Sequence, residues 1–242
     1  MSTLTVQTQR FLIIILIPIV IIVGVVRLVA TESFLSFEYS KSDFPEDPFG
    51  FDRSQRLAHA SDNFKYVVEQ QSVDALVKQK HEETQLYNLR EIEHMQDVQN
   101  IYQTAWRTWQ AALILAAFSV LLLTWHKSNH AIVASAVRAG GALTVGMVAA
   151  VGLIAIIAWQ VWFVIFHQLF FQPGSWTFDF SNTLIRLFPE KFWYDAVLTI
   201  SSLSVIAGFL VYWSGSRLLK NGLSKRNGFE SGQSQVPTAV HP

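Results

Sequence analysis

The sequence predicts an all-α membrane protein with four transmembrane helices, and three observations lead to this fold class. Hydrophobic residues make up 51% of the 242 residues and charged residues only 15%, whereas soluble domains average about 25% charged residues. The apolar residues are concentrated in four separate blocks rather than spread along the chain. Each block is close to the roughly 20 helical residues that cross a hydrocarbon core of about 30 Å, and a helix satisfies its own backbone groups in lipid.

The composition also excludes several classes of function. The 18 Lys and Arg residues balance 18 Asp and Glu residues, so no excess of basic charge indicates a nucleic-acid partner. The chain contains no cysteine. Disulfides, thiolate nucleophiles and cysteine-ligated metal sites are therefore excluded.

The four apolar blocks set the order of the predicted transmembrane segments. They cover residues 11–30, 109–125, 142–166 and 196–213. The first block has an alternative interpretation as a signal peptide. Its apolar region is longer than the usual ~7–15 residues and no clean cleavage site follows, which favours a retained anchor.

The charges of the short loops predict the orientation in the membrane. Residues 126–141 contain two basic residues and no acidic one, and the tail 214–242 contains four basic residues and one acidic residue. Lys and Arg close to membrane ends favour the cytoplasmic side. Residues 1–10, the 126–141 loop and the tail are therefore predicted to lie in the cytoplasm.

The two remaining loops are then extracytoplasmic. They cover residues 31–108 and 167–195, and we expect them to form one cap over the helices, on the outer side of the plasma membrane. The tail from Ser224 is rich in Gly, Ser and Gln, a composition that predicts disorder.

Alternating apolar residues predict one short strand in each outer loop. Leu35–Tyr39 and Trp176–Phe180 both place aromatic or aliphatic residues at every second position, the period of a strand. A strand left alone exposes unpaired backbone groups. We therefore expect these two segments to pair as a small two-strand sheet.

Local signals also predict helices in the cap. Asp52 or Ser54 is a suitable N-cap for a helix with an apolar stripe. A second helix is expected to begin near Leu86 and to continue into the second span. Ser181 is expected to cap a short helix that Pro189 ends before the fourth span.

Two histidines are the candidate catalytic residues, because imidazole transfers protons near neutral pH. His94 lies three residues from both Glu91 and Asp97, and helical spacing would place a carboxylate where it could fix the imidazole tautomer. His167 stands at the outer end of the third span. The alternatives are a solvated charged helix face for His94 and an interfacial histidine bonded to a carbonyl for His167.

The metal-binding patterns in the sequence are incomplete. His81 begins a zincin-like pattern, but Gln85 replaces its second histidine. Glu91 and His94 have a spacing used in di-iron bundles, yet the spans contain none of the further carboxylates that such a site needs. Two histidines in the 126–141 loop lie outside the spans that would hold a haem. We expect no metal and no cofactor.

Five aromatic-rich motifs occur in a specific combination and order, although any one of them alone would be weak. They are Asp43-Phe-Pro-x-Asp-Pro-Phe-Gly-Phe51, Glu93-His-Met-x-Asp-Val98, Phe166-His-x-Leu-Phe-Phe171, Trp176-x-Phe-Asp and Leu184-Ile-Arg-Leu-Phe-Pro189. Together with the four spans, they resemble the bacterial lipoprotein intramolecular transacylase (Lit) family of integral membrane proteins. The resemblance covers roughly residues 11–213.

This resemblance implies an activity and a set of site residues. Members of the family move the sn-2 acyl chain of a diacylglyceryl-cysteine lipoprotein to the α-amine of the same molecule. The family's two motif histidines carry catalysis, which here implies His94 and His167 as general base and acid, with Glu91 and Asp97 in support. The implied partners are a diacylglyceryl lipoprotein and membrane lipid, and the protein is expected to be a monomer.

Substrate binding is assigned to aromatic and basic residues of the outer side. Arg27 and Arg186 are the basic residues nearest the outer interface, and either could hold a lipid headgroup or a substrate carbonyl; snorkelling to the interface is the alternative for Arg27. Phe49, Phe51 and Trp176 belong to the motifs of the resemblance and are also assigned to substrate binding.

Two other functions remain open from the residues alone. One is a non-catalytic lipid- or lipoprotein-binding protein of the same fold, and the other is a lipid ester hydrolase that uses the same histidines to activate water. The transacylase hypothesis also sets a geometric requirement. A straight helix from His94 to Trp109 would place His94 about 22 Å above the start of the second span, so this span must begin earlier, near Ile101, or bend.

Overall fold

The structure is a computed structural model that describes the chain from residue 1 to residue 233, with side chains described to residue 221. The described helices are α1 (Thr3–Val29), α2 (Glu32–Ser40), α3 (Arg53–Val68), α4 (Asp74–Val77), α5 (Leu89–Thr124), α6 (His130–Ile157), α7 (Trp159–Phe170), α8 (Thr183–Leu187) and α9 (Glu190–Gln233), with a 3₁₀ turn at Lys127–Asn129. The described strands are β1 (Lys80–His81) and β2 (Thr84–Gln85).

Four of the described helices are long and apolar enough to cross a membrane, as the sequence predicts. They are Thr3–Val29, Leu89–Thr124, Lys127–Ile157 and Glu190–Asn221. The second of them, α5, is one continuous helix of 36 residues that carries His94 near its start. The prediction of a helix that begins near Leu86 and continues into the second span is therefore confirmed, with the helix start at Leu89.

The third apolar block forms two helices rather than one. α6 ends at Ile157, and Ala158 leaves the helical conformation with φ −141° and ψ 56° before α7 begins. The Ala158 N–H still donates to the Ile154 carbonyl at 2.8 Å, so the break costs little hydrogen bonding. Neither proline nor glycine stands at the break, and the sequence carries no signal for it.

The predicted pairing of Leu35–Tyr39 with Trp176–Phe180 is wrong. Leu35–Tyr39 lies inside α2, whose first turn is capped by Thr31, with the side chain of Thr31 accepting from Phe34 N–H at 3.2 Å. Leu35 and Tyr39 are four residues apart and both buried, which suits a helical face as well as a strand face over so short a segment.

The second predicted strand is an irregular segment of turns. The small antiparallel sheet of the described chain is formed elsewhere, where Lys80 pairs with Gln85 and His81 with Thr84. Each of these strands is only two residues long, so the sequence shows no alternation of apolar residues from which they could be predicted.

The capping signal before α3 is confirmed at Asp52. Its carboxylate accepts from the Gln55 backbone N–H at 2.8 Å, and the Gln55 side chain accepts in return from the Asp52 N–H at 3.0 Å. This reciprocal pair satisfies two N–H groups at the helix start. At the other predicted cap, α8 begins after Asn182 rather than Ser181, and Pro189 directly precedes α9 as expected.

The chain divides into two compact units, and each long helix contributes residues to both. Unit 1 contains residues 1–21, 112–147 and the described chain from residue 205; unit 2 contains residues 22–111 and 148–204. All sequence-predicted site residues belong to unit 2. The composition predicts disorder from Ser224, but helix α9 continues through residues 224–233. The rest of that predicted tail, 234–242, lies outside the described residues.

Unit 2 is built around an apolar cluster that joins α2, α3, α4, α8 and the start of α5. Tyr39 is buried at its centre and donates its hydroxyl to the Leu187 carbonyl at 2.6 Å. The buried Arg56 guanidinium donates to the Pro45 and Arg186 carbonyls, so these loop carbonyls are satisfied without water. The segments 31–108 and 167–195 are thereby joined, as the sequence predicts, but through side chains rather than strands.

Glycine allows two helices of unit 1 to touch. A Cβ atom at Gly141 of α6 would meet the backbone of Tyr212 in α9 and would lie 2.7 Å from the Gly208 carbonyl oxygen. Gly146, which lies further along α6, has open space at the same position. The close approach at Gly141 therefore depends on the absence of a side chain.

We predict that Gly141→Ala lowers the thermal stability of the purified protein, because backbone atoms cannot move aside and overpacking costs about 1–3 kcal/mol. Gly146→Ala is the matched control. It should leave the melting temperature unchanged or raise it, since alanine favours helix over glycine by about 0.5–1 kcal/mol. Equal melting temperatures for the two variants would contradict the close contact.

Candidate functional site

His167 lies in the last turn of α7, and a backbone carbonyl fixes its tautomer. Its Nδ1 lies 2.7 Å from the Phe163 carbonyl oxygen. Because that oxygen can only accept, Nδ1 carries the proton and Nε2 of the neutral ring carries the lone pair. The ring packs against Trp176 and Phe171, with centroid separations of 4.8 and 5.4 Å.

His94 reaches the same region from the beginning of α5. Its ring lies 4.8 Å from the Phe171 ring and 5.3 Å from the Phe178 ring, measured between centroids. Its Nδ1 is buried and has no hydrogen-bond partner among the described residues. The aromatic contacts therefore fix the position of the ring, and the Nδ1 atom remains free to bind a ligand.

The two histidines line one cavity of about 270 Å³ in unit 2. Both rings contact Phe171, and they are close enough for the charge of one to act on the other. The sequence analysis required His94 to reach the third span, and the structure meets this because both histidines line the same cavity. α5 is one helix from Leu89 to Thr124, long and apolar enough to cross a membrane, and His94 lies in its second turn.

The cavity is predominantly apolar. Its walls come from α1, α3, α5, α7, α8 and α9, mostly through Val, Leu, Ile and Phe side chains. The lining residues of the described chain with a polar side-chain atom, sulfur aside, are Asn63, His94, Tyr102, His167, Trp176 and Trp193, and the lining contains no carboxylate, Lys, Ser or Thr. Such a site can bind an acyl chain and transfer protons through imidazole, and its own side chains include no serine-type nucleophile.

Burial changes the basicity of His167. The loss of hydration around the ring lowers its pKa below the ordinary value for histidine, and the hydrogen bond to the Phe163 carbonyl opposes this effect only in part. The ring is therefore neutral at pH 7, with a free lone pair on Nε2.

Arg90 holds the irregular segment that covers the two histidines. Its guanidinium donates to the Gly174 and Thr177 carbonyl oxygens, each at 2.9 Å, and lies over the Phe178 ring at 5.7 Å. Trp176 is thereby kept against His167. Sequence analysis assigned no role to Arg90.

The prediction that Glu91 orients His94 is wrong. Its buried carboxylate accepts from the Asn88 backbone N–H and from the Leu184 backbone N–H, each at 2.9 Å. It therefore caps α5 and binds the first turn of α8. In the described chain no hydrogen bond joins Asp97 to His94 either, so neither carboxylate supports the ring.

The other predicted binding residues divide between the cavity and the cap. Trp176 lines the cavity, and Arg27 donates to the hydroxyl of Tyr102, a lining residue, at 2.5 Å. Arg186 forms a two-bond ion pair with Asp47, at 3.1 and 2.9 Å.

The Arg186 ion pair belongs to the cap rather than to the cavity. The Arg186 guanidinium also lies 3.7 Å from the Phe51 ring centroid and 5.6 Å from that of Phe49. None of these three residues lines the cavity. In the structure these three residues contact one another away from the cavity, and their role in substrate binding stays a prediction.

Sequence reasoning missed Asn63 and Tyr102 as lining residues. A signal for Asn63 exists, because it follows Ala60 by three residues on the buried stripe of α3, where a polar amide is unusual. Tyr102 carries no comparable signal. Across the part of the chain that the structure describes, no group of three His, Asp or Glu side chains is arranged to hold a metal ion.

Comparison with known proteins places the chain among membrane transacylases. Residues 11–193 match the family model "Lipoprotein intramolecular transacylase Lit". An uncharacterized protein of Aquifex aeolicus (strain VF5) is 30% identical over 190 residues, which cover 78% of this chain and 84% of that protein.

Solved structures show the same fold. An in meso structure of the membrane integral lipoprotein intramolecular transacylase Lit from Bacillus cereus superposes with a TM-score of 0.77 at 20% identity, covering 92% of this chain and 100% of that one. A structure of the same protein with a histidine-to-alanine mutation gives a TM-score of 0.64 at 19% identity, covering 90% and 96%. On the family match and the 30% identity, this chain belongs to the lipoprotein intramolecular transacylase Lit family of multi-pass membrane proteins.

Proposed function

We propose that this protein is an intramolecular transacylase that moves the sn-2 acyl chain of a diacylglyceryl-cysteine lipoprotein to its own α-amino group. The observation that carries the proposal is the cavity itself, in which two histidines from distant parts of the chain meet among apolar walls. Family membership supports the same reaction class.

The substrate supplies both reacting groups. The neutral α-amine attacks the ester carbonyl carbon, a C–N bond forms, and the C–O bond to the glyceryl oxygen breaks. One proton leaves the nitrogen and one reaches the glyceryl oxygen, so the products are an amide and a free hydroxyl. The enzyme therefore needs no nucleophile of its own, in agreement with the lining residues.

His167 is the better candidate for the general base. Its Nδ1 proton is bound to the Phe163 carbonyl, which leaves the Nε2 lone pair available to take a proton from the amine. His94 then passes a proton on to the leaving glyceryl oxygen and receives the proton that His167 took from the amine, so that both rings end neutral as they began. Burial of the ester and amine in one cavity would add the advantage of an intramolecular reaction, whose effective molarity can reach about 10⁵–10⁸ M.

The charge of the loops supports the extracytoplasmic leaflet as the place of reaction. The cavity lies in unit 2 with the two loops in which acidic residues outnumber basic ones, whereas the 126–141 loop, with two basic residues and no acidic one, belongs to unit 1. The positive-inside rule favours the cytoplasm for that basic loop. Diacylglyceryl lipoprotein and lipid would enter the cavity from the outer half of the bilayer.

We predict that His94→Ala and His167→Ala each reduce product formation by about 10²–10⁴-fold, the usual contribution of positioned proton transfer. The measurement is mass spectrometry of the N-terminal peptide of a reporter lipoprotein, and the product is the N-acyl, S-monoacylglyceryl form. His126→Ala is the control, because this exposed histidine lies outside the cavity and should retain activity.

The same spectra distinguish the alternatives. Loss of one acyl chain with a free α-amine would identify a hydrolase and contradict the proposal. If the wild-type protein leaves the lipoprotein unchanged, the proposal is contradicted and the non-catalytic lipid- or lipoprotein-binding function is favoured. Full activity in either cavity variant would remove that histidine from the mechanism.

We also predict that His167 titrates with a pKa below about 6.5, the ordinary histidine value, because burial penalises the charged ring. The ring then remains neutral, and able to accept a proton, until the pH falls through this lowered value. ¹⁵N-histidine NMR titration of the detergent-solubilised protein measures it, with His167→Ala to assign the signal. In denaturant the pKa of His167 should return to about 6.5. A pKa at or above about 6.5 in the folded protein would contradict the prediction.

A further inference from the structure

Asn63 is a fully buried amide that the protein itself does not satisfy. Its side chain is 0% exposed and lines the cavity from α3. Neither Nδ2 nor Oδ1 has a hydrogen-bond partner among the described residues. Buried polar groups are nearly always paired, so an amide with two unpaired atoms indicates that a ligand supplies its partners.

The cavity concentrates unpaired polar atoms in an otherwise apolar wall. The buried Nδ1 of His94 and the buried Nε1 of Trp176 also have no partner in the described chain. On the same helix, the neighbours of Asn63 that face the cavity are Phe64, Val67 and Val68. These apolar side chains offer the amide nothing to bind.

A half-buried amide of the same unit has partners for its N–H groups, in contrast to Asn63. The Gln99 side chain on α5 donates to the Tyr66 carbonyl at 2.6 Å and to the Gln71 carbonyl at 2.9 Å. Gln99 thus ties α5 to the end of α3. Asn63 makes no such connection, and a structural explanation for its amide is missing.

We propose that Asn63 binds the reacting group of the substrate, with Nδ2 donating to the ester carbonyl oxygen. This inference rests on the proposed function. As the amine nitrogen bonds to the carbonyl carbon, the carbonyl electron pair moves to oxygen, and an N–H donor stabilises that negative charge. When the intermediate collapses, the pair returns, the C–O bond breaks and the glyceryl oxygen takes the proton.

The second half of the amide fits the nucleophile. Oδ1 is an acceptor only, and the attacking α-amine carries N–H groups that need one. A carboxamide can therefore bind the ester oxygen and the amine at once and hold them side by side. A carboxylate could not donate to the oxygen, and an apolar residue could bind neither.

The test compares Asn63→Leu with Asn63→Asp in the full-length protein, with Gln99→Leu as the control. We expect Asn63→Leu to lower kcat by about 10²–10³-fold, the usual effect of losing one such donor, with little change in KM. Its melting temperature should stay the same or rise, because an apolar side chain of similar size removes two unpaired polar atoms. Gln99→Leu should show the opposite pattern, with a lower melting temperature and a smaller loss of kcat.

Asn63→Asp keeps the shape of the side chain and has no donor once its carboxylate is ionised, whereas a protonated buried carboxyl group could still donate. Its kcat relative to wild type should therefore fall as the pH rises, even if Asn63→Leu fails to fold. A wild-type kcat across the pH range in Asn63→Asp, or a wild-type kcat in a folded Asn63→Leu, would overturn the inference and leave an amide that binds only water. A fall in melting temperature as large as that of Gln99→Leu would show a structural role instead. If the wild-type enzyme forms no N-acyl product, the proposed function fails as a whole, which is distinguishable from failure of the Asn63 variants alone.

Discussion

The position of the cavity that holds the two histidines depends on the buried carboxylate of Glu91. This side chain accepts one N–H group from the start of α5 and one from the first turn of α8. Helix starts have unpaired N–H groups and a partial positive charge, so a buried carboxylate is stable there without a basic partner. His94 follows one turn later on α5, and Leu184 of α8 lines the cavity. One carboxylate therefore sets two walls of the site.

Hydrogen bonds to backbone carbonyls complete the support of the site. Arg56 satisfies carbonyls of both outer loops, Tyr39 binds the end of α8, and Arg90 holds the segment with Trp176. Irregular backbone next to a membrane must be satisfied by protein groups because lipid offers none. Long cationic and phenolic side chains do this from a distance, which gives Arg56, Arg90 and Tyr39 a role in holding the fold.

The cavity itself shows the reverse pattern. Polar atoms of Asn63, His94 and Trp176 are buried without partners in the described chain, at the cost of some stability. Such conflict between local stability and site chemistry is common where a protein binds a reacting group. The apolar walls strengthen each of these polar interactions once a ligand fills the space, since little water competes.

The sequence by itself determined the four membrane-length helices, the capped start of α3 and the two histidines as candidates, because these depend on local composition, spacing and side-chain chemistry. Tertiary structure decided the rest. The Leu35–Tyr39 segment satisfies strand and helix patterns equally over five residues, and only its packing against the cap selects the helix. Glu91 and Asn63 were equally undecided, since the partner of a buried polar atom comes from chain that is distant in sequence and becomes known only when the helices have packed.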